Sequence, residues 1–106
     1  MPRKVGLNYL VLSTYPVDRK QIAEAARDYF TKNGIPCSLE KTEWAPGKWI
    51  TLVGTAGFKR VGGDDFKSYL QHASTLAKNY KTSNFDRPEP TSQTVYKWVG
   101  AETAVN

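Results

Sequence analysis

Apolar and polar positions change their period several times along this chain of 106 residues. Residues 5–15 are dense in Val, Leu and Tyr and carry no internal helix caps, which predicts a first strand. Pro16 closes it. Asp18 with Gln21 three positions on is a capping-box arrangement. Ile22, Ala25, Ala26, Tyr29 and Phe30 then recur at helical spacing, so a helix is expected over 19–33, with Asn33-Gly34 as its stop. Strands are expected over 35–43 and 48–55, joined by the turn Ala45-Pro46-Gly47. Glycines crowd 54–63, which reads as a loop. Asp64 or Asp65 opens a second helix over 64–81, striped by Phe66, Tyr69, Leu70, Ala73, Leu76, Ala77 and Tyr80. A polar, proline-containing connection over 82–90 leads to a last strand over 94–99 and a frayed tail.

The order strand, helix, strand, strand, helix, strand predicts an α+β, ferredoxin-like βαββαβ fold. Its expected product is a four-stranded antiparallel sheet with both helices on one face. Alternation along the strands adds a difficulty. Leu10 and Leu12 point one way, Tyr9, Val11 and Ser13 the other; Trp49, Thr51 and Val53 likewise oppose Ile50 and Leu52. Both faces are apolar, and two helices cover only one. A second cover is therefore expected: the connection over 81–90 with Phe85, the C-terminal tail, or a second copy of the chain. Val11-Leu12-Ser13-Thr14 also resembles Leu52-Val53-Gly54-Thr55, a faint internal repeat that pseudo-symmetry and chance explain about equally well.

Composition narrows the partners only slightly. Lys and Arg number 15 against 10 Asp and Glu, a net charge of +5 that favours acidic partners. The excess is scattered and forms no basic run. No stretch approaches the roughly 18 apolar residues that span a bilayer, and no signal-peptide core follows Met1-Pro2-Arg3-Lys4-Val5. The chain as written reads as cytoplasmic; excised from a longer anchored protein, it would belong to the periplasm or cell envelope. The single cysteine, Cys37, excludes an internal disulfide.

Catalytic chemistry finds little to work with. His72, the one histidine, falls at the edge of the second helical stripe. Cys37 has no histidine nearby in sequence, and one His with one Cys cannot supply the usual zinc ligands. No enzyme activity, cofactor or metal is expected. The glycine-rich stretch over 54–63 fits neither the dinucleotide nor the phosphate-loop pattern, yet Lys59 and Arg60 within it are candidate anion contacts. Tyr9, Trp44 and Trp49 are candidate stacking surfaces, with Lys48 beside them.

Three segments resemble the SPOR (sporulation-related) domain. Tyr9-Leu10-Val11-Leu12-Ser13-Thr14-Tyr15 is similar to its opening strand, Asn33-Gly34-Ile35-Pro36 to its helix-to-strand turn, and Trp49-Ile50-Thr51-Leu52-Val53-Gly54 with Phe58 to its third strand. The resemblance implies a SPOR-like core over 1–80, followed by the connection, last strand and tail over 81–106. It implies a non-catalytic module of the bacterial cell envelope and division machinery. Such a module would bind peptidoglycan glycan strands lacking stem peptides on its open sheet face. Tyr9, Trp44, Lys48, Trp49, Lys59 and Arg60 are the expected ligand contacts.

Two other readings stand beside it. One is a structural subunit that assembles as a homo-oligomer through an apolar sheet face, with Val11, Ile50 and Leu52 as interface candidates. The other is a single-stranded nucleic-acid binder built on the RNA-recognition plan, although that family's third-strand signature is missing.

Overall fold

The computed structural model describes residues 3–41 and 47–98. Strand β1 (Asn8–Pro16) leads through a 3-10 turn (Val17–Arg19) into α1 (Lys20–Lys32). Strands β2 (Cys37–Lys41) and β3 (Trp49–Phe58) follow, then α2 (Asp64–Asn79), a second 3-10 turn (Asn84–Asp86) and β4 (Val95–Lys97). The sheet order is β2-β3-β1-β4, with every neighbouring pair antiparallel. This is the ferredoxin-like arrangement expected from the element order.

Neither helix start carries a side-chain cap, whereas both ends have identifiable causes. The proposed Asp18–Gln21 capping box is not formed: a 3-10 turn precedes α1, and no side chain caps Arg19, the residue before it. Arg19 is turned instead toward the distant Asp86. At the far end, Gly34 adopts φ +95°, and the Ile35 and Gly34 amides donate to the Phe30 and Thr31 carbonyls. That pairing is a Schellman stop, and it delivers Ile35 into the core beside Phe30. At the end of α2, Arg87 Nη1 donates to the Ala77, Lys78 and Tyr80 carbonyls, supplying the donors a helix end lacks.

Leu10, Leu12, Tyr15, Ile50, Leu52 and Phe58 of the sheet form one cluster with Ala23, Ala26 and Phe30 of α1 and Phe66, Ala73 and Ala77 of α2. Both helices therefore lie on one face. Tyr15 joins Leu10 and Leu12 on that face despite its odd spacing, because the β1–β3 register shifts between Tyr9 and Ser13. Ala25, expected in the helical stripe, is exposed, and Ala23 takes its place.

The glycine-rich stretch is not a loop from Gly54 onward. β3 runs straight through it to Phe58. Gly54 leaves room on the helix side for Tyr69, whose hydroxyl oxygen occupies the space a Cβ would need. Gly57 does the same on the opposite face, where Leu7 and Tyr9 press in at 2.8 and 2.9 Å. Glycine inside a strand often marks such a close approach.

Candidate functional site

The structure divides the expected ligand contacts among separate places. Lys48 and Trp49 sit at the start of β3, whereas Lys59 and Arg60 follow its last residue. A ten-residue strand separates them by roughly 30 Å. Trp44 lies outside the described residues. Lys59 and Arg60 are exposed, but they share their hollow with Asp64 and Asp65, which offset the local charge.

The open sheet face is covered by a segment the sequence reading overlooked. Residues 4–7 make a tight turn with Gly6 at φ +87°, closed by Leu7 N–H to the Lys4 carbonyl. The turn folds Arg3 back over the sheet. There its guanidinium lies 4.9 Å from the Tyr9 ring centre and 6.0 Å from those of Tyr96 and Trp98. It also pairs with the Glu40 carboxylate, which accepts a second hydrogen bond from Ser38. The Lys4 amide donates to the Tyr9 hydroxyl at 2.7 Å.

Beneath this arm Val53 is fully buried and Tyr9 is 3% exposed. Tyr9 is thus a covered floor rather than an open contact. Among the described residues the connection does not supply this cover: Phe85 is 81% exposed, with the Arg19 guanidinium 5.4 Å from its ring centre. The tail lies outside the described residues. Ile50 and Leu52, expected at an interface, belong instead to the core under the helices. Val11 is half-buried at the edge of a groove lined by Ser13, Asn84, Phe85 and Thr94.

At one corner of the described residues lies an apolar hollow. Val17, Leu39, Trp49 and Ile50 line a predominantly apolar hollow of about 230 Å³, with Lys20, Glu40 and Lys41 around it. Trp49 is 38% exposed and Val17 50% exposed. The two are brought together because Pro16 pairs with Trp49 across the sheet and the Val17 amide donates to the Lys48 carbonyl at 2.9 Å. Glu40 is already engaged by Arg3, so Lys20 and Lys41 dominate the hollow's charge.

Burial pushes the Cys37 thiol up to about 11, and the thiol donates to the Arg27 carbonyl. His72 is exposed on α2 beside Gly34. Among the described residues no three His, Cys, Asp or Glu side chains gather as a metal site would require, and no helix is long and apolar enough to cross a membrane.

Fold and site together define a ferredoxin-like α+β domain whose described residues carry a lysine-flanked aromatic hollow at one corner. Comparison with protein-family models, curated proteins and solved structures gives no match.

Proposed function

We propose that this protein is a non-catalytic binding module, similar in kind to SPOR domains, that holds a peptidoglycan glycan strand at its Trp49 corner. The observation that carries the reading is the Trp49–Val17 hollow with Lys20 and Lys41 beside it. An indole offers a flat apolar body with one polar tip, suited to the face of a sugar ring. Glycan strands stripped of stem peptides expose lactyl carboxylates, and lysine ammonium groups attract these at the rim. The ferredoxin-like fold and the three SPOR-like segments support the same reading.

The nucleic-acid reading is less well supported, because Tyr9, Tyr96 and Trp98 already carry the Arg3 guanidinium. An assembly through Ile50 and Leu52 would require opening the core.

Co-sedimentation with purified sacculi, partly digested so that stretches of glycan lose their stem peptides while the remaining cross-links keep the sacculus insoluble, tests the proposal. The protein is expected in the pellet at low salt. Trp49→Ala should lower retention about tenfold, equivalent to roughly 1.4 kcal/mol. Absence of retention at low salt, or full retention by the variant, overturns it.

A further inference from the structure

We propose that Tyr9, Tyr96, Trp98 and Glu40 form a recognition site for an arginine side chain presented by a peptide, which Arg3 fills in cis and thereby closes. The site lies on the opposite face from the helices and does not depend on the glycan reading. Its chemistry is defined by its present occupant. Aromatic rings attract a cation through their negative faces, and a guanidinium adds planar stacking and a forked fit to carboxylate. Tyr96 and Trp98 stand two residues apart at the β4 edge with ring centres 5.8 Å apart, and Tyr9 pairs with Tyr96 from the neighbouring strand. On the far side of Arg3, Glu40 of β2 provides the carboxylate, steadied by Ser38. Three strands thus converge on one cation.

Arg3 fits this cage incompletely. Its side chain is only 9% exposed, yet Nη1 is buried without a hydrogen-bond partner. A buried orphan donor is costly, so Arg3 leaves unused part of what the site offers a guanidinium. Besides these contacts, Arg3 has the advantage of its tether. A short tether presents a group at an effective concentration of about millimolar or above. A peptide arginine of millimolar affinity therefore gains the cage only when the arm swings out. The hinge for that motion is the turn at Gly6, beside the 65% exposed Val5.

The test uses N-acetyl-arginine amide as probe, with the Trp98 indole N–H followed by NMR. Arg3→Ala empties the cage, and Glu40, 32% exposed, is reached by water once Arg3 is gone. Gly6→Val is the second variant. It keeps all four cage side chains and strains the turn at φ +87°, whose Gly6 amide donates to the Trp98 carbonyl at 2.8 Å, while nothing lies within 4 Å of the added Cβ. Both variants should show a saturable shift of the indole resonance, at probe concentrations at least about tenfold below any response of the unaltered protein. Adding Glu40→Gln to Arg3→Ala should abolish the shift, and N-acetyl-lysine amide should bind more weakly. The proposal is overturned if neither folded variant responds, if the unaltered protein responds equally, or if Glu40→Gln leaves the response intact. Sacculus binding through Trp49 is read separately on Arg3→Ala combined with Glu40→Gln, which leaves no unpaired carboxylate at the hollow, and is expected to survive.

Discussion

Tyr69 shows how a single side chain can be both well packed and under-satisfied. Its ring stacks near Phe58 at 5.0 Å and its hydroxyl reaches over Gly54, yet that hydroxyl is buried without a partner. Burial pushes its pKa up to about 12. Tyr69→Phe should be neutral or stabilising by up to about 1 kcal/mol, because it deletes an unpaired polar atom and keeps the ring. Urea unfolding checks the direction; a loss above about 1 kcal/mol contradicts it. Gly54→Ala should instead cost roughly 1–3 kcal/mol by overpacking against the same hydroxyl. Cys37 makes a related point through pH. Its thiol moves from an ordinary 9.0 to about 11 in the fold, so between those values the native state binds more protons than the unfolded chain. Stability contributed by the neutral thiol is full below about pH 9 and falls as pH rises toward 11. Cys37→Ala should flatten that part of the stability–pH curve, and thiol reagents should label the native protein far more slowly than the unfolded one.

The ends of the helices are decided by different means. Gly34 ends α1 through local backbone geometry, and the Asn33-Gly34 pair announces it in the sequence. Gly34→Ala should cost about 1 kcal/mol, since the position keeps φ +95°. The end of α2 relies on Arg87, which reaches back from a connection with no local signal for such a role. Arg87→Ala should cost about 1.5–3 kcal/mol through lost charge-assisted bonds, measured by urea unfolding, with Arg87→Lys restoring only part. β3 illustrates the opposite case, where sequence reading stops early. Gly54 and Gly57 resemble loop residues, but each stands where another element's side chain needs the space of a missing Cβ. Only knowledge of Tyr69, Leu7 and Tyr9 as neighbours identifies them as strand.

At the scale of the whole molecule, two tethers close what the elements leave open. The connection after α2 is pinned by Arg19, which donates to both Asp86 oxygens at 2.7 and 2.8 Å, and by buried Pro88. The N-terminal arm closes the other sheet face. Because that face buries Val53 and Tyr9 within one protomer, the apolar alternation no longer demands a second copy. Sedimentation across a wide concentration range should show a mass near 11.9 kDa throughout. A concentration-dependent dimer would mean that another surface, such as the exposed Phe85, mediates association.

The periodicities of 2 and 3.6, with Gly34 as punctuation, determined the element order and hence the ferredoxin-like sheet, because they express local backbone preference and one-sided burial. The arm's position was decided only in three dimensions. Arg3 meets Glu40 across 37 residues, and no local pattern encodes a contact that exists only after the sheet has assembled. For the same reason the expected contacts Trp49 and Arg60 separated, while Val17 and Trp49, distant in the chain, came to share one hollow.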